Sequence, residues 1–304
     1  MDSYFIWNWL FVCSIQLIIK KTMKITDING KVTLSNGIKM PYLGLGVYKS
    51  KDGEEVKNAI NYALNAGYRL IDTASFYSNE EGVGEAIKES EIERKELFIT
   101  TKVWNDDQGY QNTLKAFDTS RQKLGLDYID LYLIHWPVPD VLEETWQALE
   151  KLYNDGKVKA IGVCNCLQHQ LETIKQAGSI VPMVLQNEFH PKLVQQELMD
   201  YCKTENIQYQ AWSPLMRGQI LENKTIAEIA EKYNKSIAQV ILRWDLQKGV
   251  LSIPKSVHQQ RIEENKNIFD FKLTSEEVKT IDALHNNERT GAHPDHFMEH
   301  FAKE

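Results

Sequence analysis

The sequence predicts a single α/β domain closed as a parallel (β/α)8 TIM barrel, on three observations. Short apolar, β-compatible runs alternate strictly with helix-length amphipathic segments, eight times from Leu43 onward. No linker, internal repeat or low-complexity stretch interrupts that rhythm. Three successive runs also end in a titratable residue: Leu70-Ile71 in Asp72, Leu97–Thr101 in Lys102, and Tyr128–Ile134 in His135. The C-terminal strand ends are where such barrels carry out chemistry. A solvated Asp in a turn would account for Asp72 alone, but not for three strands in succession.

The elements follow in order. Val32–Ser35 and Ile38–Met40 flank Asn36-Gly37, a strong hairpin signal. Leu43–Gly46 is the first barrel strand. Val56, Ala59, Ile60, Ala63 and Leu64 form one face of a helix that Gly67 closes, with Asp52 and Glu55 spaced as a capping box. The second strand ends at Asp72 and is followed by a helix near Glu80–Lys88, which places Gly82 and Gly84 inside a helix rather than in a phosphate loop. The third and fourth strands end at Lys102 and His135, with helices near Tyr110–Leu124 and Leu142–Asn154 closed by Gly125 and Gly156. Ala160–Val163, Val181–Leu185, Ile207–Ala211 and Val250–Ile253 complete the strands. The helices between and after them lie near Gln168–Ala177, Gln195–Glu205, Thr225–Tyr233, Ile237–Gln247, Gln259–Asn267 and Ser275–Leu284.

Bulk composition narrows the class. Of 304 residues, 42% are apolar and 25% charged, as in an ordinary globular protein. A net charge of −7 with both signs interspersed argues against nucleic acid as a partner. The four cysteines lack zinc spacing, so a reduced, cytoplasmic protein is expected. Independently of the cysteines, a small-molecule partner and a monomer are expected. Residues 1–22 differ from the rest: Tyr4 to Ile19 is nearly all apolar, shorter than a bilayer span and without a signal cleavage site. An upstream start or added leader accounts for it, with Met23 a natural beginning and 23–304 the barrel domain. A weak membrane anchor oriented by Lys20-Lys21 is the alternative.

Asp72, Tyr77, Lys102 and His135 at one barrel mouth suggest proton transfer from a phenol. Free tyrosine, with a pKa of about 10, is a weak acid at neutral pH. A neighbouring Lys102 ammonium is expected to lower that value, with Asp72 holding the lysine and His135 donating to the oxygen that receives the proton. No nucleophile or metal cage accompanies them, so a cofactor should supply the hard chemistry.

In the contexts Leu70-Ile71-Asp72-Thr73-Ala74, Thr101-Lys102-Val103-Trp104 and Leu133-Ile134-His135-Trp136-Pro137, these residues resemble the catalytic tetrad of the aldo-keto reductases. The likeness runs from about Met23 to Phe297. Ala211–Met216 and Arg289-Thr290-Gly291 look most like the bacterial diketogluconate, glyoxal and methylglyoxal reductases. The resemblance implies NADPH-dependent reduction of small aldehydes, ketones and dicarbonyls, on a barrel whose bottom the hairpin closes. It also implies that Asn165 and Gln186 hold the carboxamide, that Trp212 stacks on the nicotinamide, and that Ser213 and Leu215 lie by the pyrophosphate. Asp72 lines the same end. Lys255, Ser256 and Arg261 would face the 2′-phosphate, and Glu264 and Asn265 the adenine. Tyr48, Trp104, Trp136 and His135 would wall the substrate pocket. Cys164 stands in place of a usual Ser, His258 of a common Thr, and Tyr48 of a frequent Trp. Two rivals remain: a non-catalytic NADPH-binding barrel, which often lacks a tetrad member, and a barrel hydrolase or lyase, for which only Asp72 and Glu188 offer paired carboxylates.

Overall fold

The computed structural model describes residues 25–301; the expected leader lies outside them. Lys31–Thr33 (β1) and Lys39–Pro41 (β2) pair antiparallel, with Val32 opposite Met40. Their connection is a three-residue loop, Ser35–Gly37, rather than a two-residue turn on Asn36-Gly37. Leu34 N–H reaches the Ile38 carbonyl at 2.8 Å, and Gly37 takes a left-handed φ of 89°. Asn36 is drawn inward instead, donating to the Lys159 carbonyl at 2.9 Å.

Eight strands then form one sheet in chain order: Leu45–Gly46 (β3), Leu70–Asp72 (β4), Phe98–Val103 (β5), Ile129–Ile134 (β6), Val158–Cys164 (β7), Val184–Glu188 (β8), Gln208–Trp212 (β9) and Leu251–Ser252 (β10). Every neighbouring pair is parallel. Parallel bridges from Leu43 to Ser252 and from Gly46 to Lys255 join first strand to last and close the barrel. Asn36 meets Lys159 near the start of β7, so the hairpin covers the N-terminal end of the strands, as expected. Strands β5, β6 and β8 are buried at every residue, which explains their apolar runs without alternation.

Helices Glu54–Asn65 (α1), Glu80–Glu89 (α2), Tyr110–Leu124 (α3), Leu142–Asn154 (α4), Gln168–Ala177 (α5), Gln196–Thr204 (α6), Lys224–Tyr233 (α7), Ile237–Gln247 (α8), Gln259–Asn265 (α9) and Ser275–Asp282 (α10) fall within two residues of expectation. Val56, Ala59, Ile60, Ala63 and Leu64 bury one stripe of α1, at about 1.5–3 kcal/mol for each large side chain. Its capping box is displaced. Glu55 accepts from Lys51 N–H at 2.7 Å, while Asp52 reaches across to Gly82 N–H at 2.9 Å and ties α1 to α2. Gly84 lets α2 lie against α3, since a Cβ there would stand 2.5 Å from the Leu124 carbonyl oxygen. A further helix, Phe297–Phe301 (α11), was not anticipated.

Candidate active site

The alternation of the strands sorts the side chains at the barrel mouth. Thr101 points outward and donates to Glu80 of α2 at 2.6 Å, so its neighbour Lys102 points inward. Asp72 is the last residue of β4, Lys102 lies one residue before the end of β5, and His135 directly follows β6. All three therefore meet at the C-terminal strand ends. Tyr77 comes from the loop between β4 and α2, closing a one-turn 3₁₀ helix at Ser75–Tyr77. Ser75 Oγ fixes that loop by donating to the Lys102 carbonyl at 3.0 Å.

Lys102 Nζ donates to Asp72 Oδ1 at 2.6 Å, to the Thr73 carbonyl at 2.9 Å and toward Tyr77 Oη at 3.4 Å. Asp72 Oδ2 accepts from Gln186 Nε2 at 2.7 Å. Burial opposes the charged form of both members of the pair. Asp72 and Tyr77 nevertheless hold the Lys102 pKa above its ordinary value, while at Asp72 burial outweighs the lysine and the Gln186 bond and raises the carboxyl's pKa. The expectation for Tyr77 is corrected: burial pushes its pKa above the ordinary phenol value, and the lowering from Lys102 only partly offsets it. Burial and the Lys102 charge hold His135 well below the usual imidazole range, so it is neutral. Its Nδ1 has no partner among the described residues, and its ring stands edge-on to Tyr77 at 5.6 Å.

The other expected site residues lie around this centre. Asn165 follows β7 in a left-handed conformation (φ 58°) and accepts from Trp212 Nε1 at 2.8 Å. Its amide nitrogen meets the His135 carbonyl at 2.9 Å and Cys164 Sγ at 3.2 Å. Gln186 Nε2 is committed to Asp72 and to Gln210, leaving Oε1 facing only the weak Cys164 donor at 3.6 Å. Cys164 thus bears on Gln186 directly. Ser213 and Leu215 follow β9. Lys255 and Arg261 are exposed and without an ion pair among the described residues, flanking Ser256, whose hydroxyl accepts from His258 N–H at 3.1 Å. Glu264 and Asn265 end α9. Two unpaired cations and an indole with its N–H already held suit an anionic dinucleotide carrying an aromatic ring.

Tyr48 packs against Tyr77 with ring centroids 4.9 Å apart, and Trp104 stacks on Phe76 at 3.8 Å. Trp136, expected as an apolar wall, is buried: Phe297 stacks on it at 5.1 Å and Phe301 stands edge-on at 5.6 Å. The segment after Leu284 therefore reaches the mouth. The signal for it was present in the sequence as two aromatics four residues apart, Phe297 and Phe301.

Glu188 is no second catalytic carboxylate. Its side chain is 0% exposed and accepts from Thr290 N–H and Oγ1, both at 2.6 Å, from Gly291 N–H at 3.3 Å and from His190 Nε2 at 3.2 Å. Burial pushes its pKa up, but these bonds outweigh it and keep the carboxyl below its ordinary value. The hydrolase reading loses its paired carboxylates. Among the described residues there is no group of side chains that could hold a metal ion, and no helix long and apolar enough to cross a membrane.

Comparison with known proteins agrees with this geometry. The family model of the aldo/keto reductases matches residues 42–286. A glyoxal reductase of Bacillus subtilis is 57% identical over 273 residues, covering 90% of this chain and 99% of the relative. An aldo-keto reductase from a Medee basin deep-sea metagenome library is 48% identical with a TM-score of 0.85, over 87% of this chain and 98% of that one. A Bombyx mori aldo-keto reductase solved in complex with NADP is 36% identical with a TM-score of 0.82, over 90% of this chain and 97% of that one. This chain belongs to the aldo/keto reductase family and is an NADP-dependent oxidoreductase on a (β/α)8 barrel.

Proposed function

We propose that the protein reduces short aldehydes and dicarbonyls, of the glyoxal and methylglyoxal type, to alcohols, with Tyr77 as general acid. The observation that carries this reading is the convergence of Tyr77 Oη, Lys102 Nζ and the neutral His135 ring at one barrel mouth. NADPH, when bound, supplies the hydride. Tyr77 gives its proton to the carbonyl oxygen, and the Lys102 charge stabilises the phenolate left behind. Asp72 keeps Lys102 in place, and His135 donates a hydrogen bond that orients the oxygen. In the free protein burial holds the Tyr77 pKa up, and the Lys102 charge works against that rise.

Trp212, Asn165 and Gln186 hold the nicotinamide end, Ser213 and Leu215 the pyrophosphate, Lys255, Ser256 and Arg261 the 2′-phosphate, and Glu264 and Asn265 the adenine. Tyr48, Trp104 and the aromatic C-terminal segment leave a mouth suited to small carbonyls, and the 57% identical glyoxal reductase supports that class. NADPH oxidation measured across a panel of carbonyls tests the reading. Glyoxal, methylglyoxal and diketo sugars should have the highest kcat/KM; turnover confined to bulky steroid or prostanoid ketones would contradict it.

A further inference from the structure

The buried Glu188 carboxylate at the end of β8 has no role in the proton transfer, yet it grips a segment about a hundred residues away in the chain. Thr290 presents its N–H and hydroxyl to Oε1, Gly291 its N–H to Oε2, and Arg289 lies 4.0 Å from Oε2. That segment touches the proposed nicotinamide platform at two points. Thr290 Oγ1 lies 3.3 Å from Ser213 Oγ, next in sequence to Trp212. A Cβ added at Gly291 would stand 2.4 Å from Trp212 Cη2 and 3.4 Å from both Cζ2 and Cζ3. One near atom with two equally distant neighbours marks an approach in the ring plane. From above the face, the three distances would be more nearly equal. Gly291 therefore fences the far edge of the indole and itself covers neither face. The opposite corner is held by Nε1 donating to Asn165 Oδ1 at 2.8 Å.

We propose that Glu188 is a positioning residue: by clamping Thr290 and Gly291 it fixes the edge, and so the plane, of Trp212 against which the nicotinamide lies. This rests on the assignment of Trp212 as the stacking residue. A side chain held by its indole nitrogen alone can swing about that bond, whereas one held at both ends presents a single face. Pre-organisation of this kind improves affinity by lowering the ordering cost of binding.

A double-mutant cycle on NADP⁺ affinity, read by isothermal titration calorimetry, tests the proposal. Glu188→Gln keeps the shape and removes the charge from two short hydrogen bonds, so NADP⁺ binding should weaken by about tenfold or more. In a Trp212→Phe background the same substitution should change binding by no more than about twofold, because the ring it positions is gone. Gly291→Ala, which leaves the clamp intact and pushes a methyl group into Cη2, should reproduce the single-mutant loss. Near-UV circular dichroism of the free protein should shift in both single variants and not when Glu188→Gln is added to Trp212→Phe. Unchanged affinity in Glu188→Gln, or equal losses with and without Trp212, would overturn the proposal. If Glu188→Gln does not fold, Thr290→Val replaces it in the cycle. Wild-type protein that binds NADP⁺ but reduces no small carbonyl would refute the functional reading and leave the cycle standing.

Discussion

Lys102 Nζ lies 2.6 Å from Asp72 Oδ1, and both side chains are shut away from solvent at 0% and 2% exposure. Such a pair depends on both members. Asp72→Asn leaves a buried ammonium unpaired and should cost about 3–5 kcal/mol of stability, with turnover falling as well. Thermal melts and steady-state rates measured together check this. A variant that keeps the wild-type melting temperature would show that the pair is not needed to bury the lysine.

The pH profile follows from the directions of the shifts. His135 lies well below the usual imidazole pKa of about 6.5, so it stays neutral through the neutral range. Tyr77 must be protonated to act, and a raised pKa keeps its proton to higher pH. For reduction, kcat/KM should therefore be flat from about pH 6 to about pH 9, and any fall should come above that. A limb centred near the ordinary imidazole value would assign the proton to His135.

Cofactor choice should depend on Arg261, which is exposed and has no ion pair among the described residues. A hydrogen bond to a charged group contributes about 1.5–3 kcal/mol, so Arg261→Ala should weaken NADPH by about tenfold or more and NADH by little. Equal losses in the two dissociation constants would remove Arg261 from the 2′-phosphate site.

Phe297 stacks on Trp136 at 5.1 Å with the planes 22° apart. Ring pairs of this kind contribute about 0.5–1.5 kcal/mol beyond burial, so Phe297→Ala should expose Trp136 and raise KM a few-fold with a smaller change in kcat. Acrylamide quenching of tryptophan fluorescence gives the first readout. Unaltered quenching and KM would show that α11 does not cover the wall.

The barrel was legible because the strands are buried along most of their length and the helices are amphipathic, and both properties are written in local sequence. Asp72, Lys102 and His135 were legible because they end consecutive strands. The direction of the Tyr77 shift was not, since desolvation depends on what surrounds the phenol in space and the sequence offered only the lysine. The Asp52–Glu55 spacing misled for a related reason: both carboxylates found better donors, at Gly82 and Lys51, than the helix start offered. Glu188 looked like a possible catalytic carboxylate because its partners Thr290 and Gly291 are 102 and 103 residues distant.

The central claim is that Tyr77 delivers the proton. Tyr77→Phe removes the hydroxyl that stands 3.4 Å from Lys102 and keeps the ring that packs on Tyr48. Single-turnover NADPH oxidation by this variant, with methylglyoxal in excess, measures that step most directly. The account predicts a rate lower by about 10²–10⁴-fold with NADPH affinity retained. A rate within a few-fold of wild type would contradict it and pass the role to His135.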